Sequence, residues 1–161
     1  MIAKEYLKVK EIDMVPLDPN KPSQKILNKV FSKVSRIYAV STTNKIVEIV
    51  FDINSDLFFL KIGDKIEVLL EESPFESQKK EENFKKSIFK QEDLEGLDLL
   101  KEFEYVMHGI IFHSGIEDNK VFIYASFGGL LMKYFGLINV VNMKNINTDK
   151  KILMLVNKIK S

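Results

Sequence analysis

The chain contains no cysteine and no tryptophan, and its 24 basic residues include a single arginine, Arg36. Without cysteine there are no disulfides and no thiolate zinc sites. With one arginine the chain has almost none of the bidentate forks that grip phosphates and guanine edges, because lysine supplies only a point charge. Proline is scarce and concentrated: three of the four sit between Pro16 and Gln24. No apolar run approaches the length of a membrane span. The N-terminus, MIAKEYLKVKEID, is charged throughout and does not read as a signal peptide. A soluble, intracellular protein is expected.

What remains is 161 residues, 45% of them hydrophobic, enough for one domain with a real core. Net charge is +1 but unevenly spread. Glu71–Glu104 holds 11 acidic and 6 basic residues, net −5, which leaves +6 on the rest. An acidic insertion therefore sits in a mildly basic body. Because lysine makes up nearly all of the basic charge, a solvated surface explains it better than a nucleic-acid footprint.

Short stretches rich in β-branched and aromatic residues recur along the chain. Tyr6–Val15 reads as a first strand closed by Pro16, and Pro16–Gln24 as a loop. A strand is expected from about Val34 to Thr43. Ile46–Ile53 is apolar on both parities, so both of its faces are expected to be covered. Leu57–Glu72 reads as a short strand, a Gly63-Asp64 turn and another strand. Phe103–His113 forms one more strand, GIEDNK a turn, and Val121–Gly136 a long strand broken at Gly128-Gly129. After a linker, Lys151–Ile159 closes the domain.

Within the insertion, Phe84, Ile88 and Phe89 suit either one short amphipathic helix or a loop outside the domain. Leu94, Leu97, Leu99 and Leu100 suggest that its end packs down again. The expectation is an all-β fold of about eight strands over residues 1–161, a barrel or a sandwich, with 73–101 as an acidic inserted loop or short helix.

The search for chemistry is mostly negative. His108 and His113 are five apart in one strand, and an odd separation puts them on opposite faces unless a bulge intervenes. Ser126 lies outside any Gly-x-Ser-x-Gly pattern. Asp52 is polar at the end of an apolar strand and suits an acceptor of backbone hydrogen bonds. Gly128-Gly129 lacks the lysine and following helix of a phosphate loop. It reads instead as a kink or bulge that lets another backbone approach. No catalytic residue, cofactor or metal site is expected.

FEYVMHG (Phe103–Gly109) followed by YASFGGLLMKYFG (Tyr124–Gly136) resembles the common subunit eight of the eukaryotic nuclear RNA polymerases. KVSRIYAVST, VFDINSDLFFLKIGDKIEVLL and the closing ILMLVNKI resemble further segments of that family in the same order. His108 stands where the family usually has tyrosine, and Lys133 where it usually has arginine. Met1–Lys33 is longer than the family pattern.

The resemblance implies an OB-fold barrel and a non-catalytic subunit that docks on the largest polymerase subunit and the polymerase core in the nucleus. It implies no sequence-specific DNA contact and no membrane. We take Tyr105, Met107, Gly109, Ser126, Phe127, Gly128, Gly129, Leu130 and Met132 as the expected partner-binding residues. The competing expectation is a free-standing OB-fold that binds single-stranded nucleic acid through stacked aromatics.

Overall fold

The computed structural model describes residues 1–18, 21–27, 32–43, 46–73, 100–137 and 146–160. Ten strands form: β1 (Ala3–Ile12), β2 (Met14–Asp18), β3 (Lys21–Leu27), β4 (Val34–Ser41), β5 (Val47–Asn54), β6 (Lys65–Glu72), β7 (Tyr105–Glu117), β8 (Lys120–Phe127), β9 (Leu130–Leu137) and β10 (Lys151–Ile159). Eight of them close into a barrel in the order β1-β4-β5-β9-β8-β7-β10-β6, and β2 and β3 form a separate hairpin. Every neighbouring pair is antiparallel, β6 returning to β1.

Side chains alternate across each strand, and the apolar parity decides which face turns inward. In β1, Ala3, Glu5, Leu7 and Val9 face in while Lys4, Tyr6 and Lys10 face out. Leu7, Val9, Ile37, Ile49, Phe51, Ile66, Ile111 and Ile123 fill the interior with no exposed surface. Each such side chain contributes about 1.5–3 kcal/mol of burial.

β10 is buried on both faces. Ile152, Met154 and Val156 join the barrel core, while Leu153 and Leu155 lie with Leu69 under Leu100, Phe103 and Val106. Leu100 therefore packs down as expected. Leu94, Leu97, Leu99 and the candidate helix around Phe84 lie outside the described residues.

Several expectations need correcting. Pro16–Gln24 is not simply a loop, since the chain turns at Asp13 (φ 57°) into the β2–β3 hairpin. Both prolines inside these strands are tolerated because each strand of a two-stranded sheet keeps a free edge. Leu57–Leu60 forms no strand. Asn54 O accepts the amides of Leu57 (3.1 Å) and Phe58 (3.0 Å), closing a turn at the end of β5. Phe58 and Leu60 still point in while Leu57 and Phe59 point out. β5 is covered along one face and only toward its end on the other, with Glu48 exposed, Val50 half-buried and Asp52 buried. The β7–β8 turn is only Asp118-Asn119, both at positive φ (50° and 63°), where type I′ hairpins hold such residues.

The largest correction concerns Gly128-Gly129. Val121–Gly136 is not one kinked strand. β8 and β9 pair with each other, Phe127 opposite Leu130, across a two-residue turn with φ of 64° and 101°. Two consecutive positive φ values match the twist of the flanking strands, and glycine reaches them without penalty.

Candidate docking surface

The hairpin changes what the expected partner-binding residues present. Tyr105, Met107, Phe127 and Met132 are buried in the barrel core, and Leu130 packs against it. Tyr105 stacks on Phe58 (centroids 5.2 Å apart), and its hydroxyl accepts the Asn54 amide at 3.0 Å. Gly109 is hemmed in: a Cβ there would run into Ser126 O and lie 2.6 Å from the Phe127 ring. Of the nine residues, only Gly128 and Gly129 are exposed, and Ser126 is half-buried with its hydroxyl accepting the Gly129 amide at 3.3 Å. The sequence motif thus brings these residues together mainly as core and turn.

Behind that turn lies a polar clasp. Asp52 accepts Arg36 Nε at 2.8 Å and Nη2 at 3.2 Å. It also accepts the Leu131 amide at 3.0 Å. One buried carboxylate on β5 therefore ties β4 to the first residues of β9. The expected backbone acceptor is present, and the sole arginine is its second partner. The hydrogen bond to Asp52 is the main reason that the Arg36 guanidinium is held above its ordinary pKa. Arg36 is fixed from its backbone too, its amide donating to Asp13 Oδ1 at 2.9 Å.

The two histidines do not obey strict alternation. The β7–β8 register slips between Ile111 and His113, leaving Phe112 as the extra residue. The bulge restores parity, so His108 and His113 are both exposed. They do not converge. His108 Nε2 lies 2.9 Å from Ser73 Oγ, whereas His113 packs against the rings of Phe122 (5.2 Å) and Tyr124 (5.8 Å). Among the described residues no group of three His, Cys, Asp or Glu is placed to hold a metal.

The outward parity of β7, β8 and β9 builds a surface that the sequence reading passed over. Phe112, His113, Phe122, Tyr124, Lys133 and Phe135 line a shallow concavity of about 530 Å³. Phe122 and Tyr124 meet edge to face at 5.8 Å. Lys133 Nζ sits 5.6 Å over the Tyr124 ring and Lys120 Nζ 5.3 Å over Phe135. Gly115 makes room for this floor, because a Cβ there would lie 2.7 Å from Phe122 Cζ. One signal was readable: in β8 the residues of the outward parity, Phe122 and Tyr124, are as apolar as the inward Val121 and Ile123.

The fold is thus an eight-stranded closed barrel whose buried polar groups serve its framework and whose outer face carries an aromatic floor. The family model for RNA polymerase Rpb8 matches residues 23–158, and the chain belongs to that family. A Caenorhabditis elegans relative named "Probable DNA-directed RNA polymerases I, II, and III subunit RPABC3" is 30% identical over 135 residues, 81% of this chain and 85% of its own. The Saccharomyces cerevisiae protein named "DNA-directed RNA polymerases I, II, and III subunit RPABC3" is 28% identical over 127 residues, 78% of this chain and 86% of its own.

Proposed function

We propose that the chain is a non-catalytic structural subunit of DNA-directed RNA polymerase, of the kind shared by polymerases I, II and III, docking on the largest subunit in the nucleus. The observation that carries this reading is the family match over residues 23–158, which takes in β4 to β9 and nearly all of β10. The names of the relatives support the polymerase and the sharing among its three forms. The chemistry is consistent with it. The buried carboxylates Glu5, Asp13 and Asp52 each hold strands together, accepting from Tyr134, Arg36 and Leu131.

The test is an affinity pull-down of the tagged chain from its own cells, read by mass spectrometry. Recovery of the large subunits of more than one RNA polymerase in matched amounts is expected. Nuclease-sensitive partners without any polymerase would overturn the reading and favour a free-standing nucleic-acid binder.

A further inference from the structure

We propose that the outer aromatic face of β7, β8 and β9 is the docking surface for an extended segment of a partner polymerase subunit, one bearing apolar side chains and a carboxylate. The inference rests on the polymerase-subunit reading and adds the surface and the chemistry of what it takes.

The topology narrows the mode of docking. The barrel is closed, so each of its eight strands is paired on both sides. Strand addition is therefore restricted to β7 beyond Ile111 and to the β2–β3 hairpin, and the broad surface left to a partner is the side chains of the outer face. The expected binding motif offers little there, since Tyr105, Met107, Phe127 and Met132 point into the core.

The opposite parity of the same strands offers much. Phe112 is 48% exposed, Leu131 44%, and the Phe122, Tyr124 and Phe135 rings are half-buried. Solvent-facing rings clustered in this way are the composition of interface cores. The floor is also built: Gly115 lies opposite Phe122 in the β7–β8 register and gives the ring its place. From Lys120 to Ser126 the outward row spans about 20 Å, the reach of about six residues of extended chain.

Charge selects the occupant. Lys120 and Lys133 lean on rings instead of carboxylates among the described residues. A carboxylate on the partner would complete them while its apolar side chains cover the rings. A protein segment fits better than a nucleic acid. The only arginine is committed to Asp52, Glu117 lies in the lining, and the rings meet at 33–70° with none parallel for sandwiching a base.

Tagged wild type and the variants Phe122→Ser/Tyr124→Ser and Lys133→Glu would be expressed in cells, and the recovered largest subunits measured against bait. Barrel integrity is checked by circular dichroism melting, with Lys133→Glu as the variant that leaves the rings in place. We expect wild type to recover polymerase and both variants to lose at least about tenfold, as for interface hot spots. Washing wild type at higher salt should also lower recovery, because the carboxylate–lysine contacts are screened. Wild-type recovery with undiminished variant recovery would overturn this surface and leave the polymerase reading standing. No wild-type recovery would overturn both. Variants that keep polymerase but lose binding of a single-stranded oligonucleotide would assign the face to nucleic acid and overturn the proposal.

Discussion

Arg36 and Asp52 meet through two hydrogen bonds, 2.8 and 3.2 Å, from opposite positions of the paired strands β4 and β5. The pair is asymmetric. The carboxylate is 8% exposed while the guanidinium side chain is 52% exposed. The value of the pair therefore lies less in surface attraction than in satisfying a buried acceptor that also holds the Leu131 amide.

We expect Asp52→Ala to cost about 2–4 kcal/mol, because it strips the partner from a part-buried backbone amide and frees Arg36. Arg36→Ala should cost less, about 1–2 kcal/mol, since water can reach the space that the half-exposed side chain leaves. Urea unfolding of both variants decides the matter. Equal, small losses below about 0.5 kcal/mol would mean that the clasp is an ordinary surface ion pair.

The Gly128-Gly129 turn separates backbone demand from packing demand. A Cβ at either glycine would meet nothing within 4 Å, so any cost is conformational. At Gly128 (φ 64°) asparagine fits the left-handed region, and Gly128→Asn should be nearly neutral. At Gly129 (φ 101°) a β-branched residue is strained, and Gly129→Val should cost about 1–3 kcal/mol. Thermal melting of the two variants side by side tests the difference. If both melt alike, the hairpin is not locked in this geometry.

Most of the barrel was legible because period-two alternation survives in β1, β4, β8 and β9. The hairpin at Gly128-Gly129 was also written in the sequence, though not in the glycines alone. Inward residues are odd before them (Val121, Ile123, Ala125, Phe127) and even after (Leu130, Met132, Tyr134). A continuous strand cannot change parity without a bulge, but a two-residue turn does so automatically. The bulge at Phe112 left no comparable trace, so the sequence alone separated His108 and His113 onto opposite faces unless a bulge intervened, as one does. The faces of the expected partner-binding residues were hidden for a related reason. Tyr105, Met107, Phe127 and Met132 belong to the core, and the outward parity between them carries the exposed rings.

Alkaline pH probes the barrel interior. Tyr134 has no exposed surface and donates to Glu5 Oε1 at 3.1 Å. Burial first, and the neighbouring Glu5 second, push its pKa far above the ordinary tyrosine value of 10.0. Burial, then Glu48, raises Tyr38 to about 12. Both groups are raised, so the stability tied to their neutral forms is complete below pH 10. It is lost as pH rises from there through their folded-state values. Tyr134 alone contributes a slope of about 1.4 kcal/mol per pH unit above pH 10. Tyr134→Phe should flatten that part of the stability curve while costing about 1–3 kcal/mol at neutral pH. Denaturant titrations at several pH values from 8 to 12 read both effects, and an unchanged alkaline slope would refute the assignment.

Gly109 offers the sharpest steric test of the β7–β8 contact. Its φ is not in the left-handed region, so alanine costs nothing in backbone conformation. The added Cβ would collide with Ser126 O and crowd Phe127 Cα at 2.9 Å. Both obstacles are backbone of the paired strand and cannot rotate away. Gly109→Ala must therefore push β7 from β8 next to the bulge, at an expected cost of about 2–4 kcal/mol. Gly115→Ala makes the matched control. Its Cβ meets only the outward Phe122 ring, whose far end can swing aside, so the fold should lose no more than about 1 kcal/mol. The same swing disturbs the aromatic floor, so Gly115→Ala should weaken polymerase recovery while leaving the melting temperature near that of wild type. A Gly115→Ala protein that melts as early as Gly109→Ala would show that the outer rings brace the barrel instead of facing a partner.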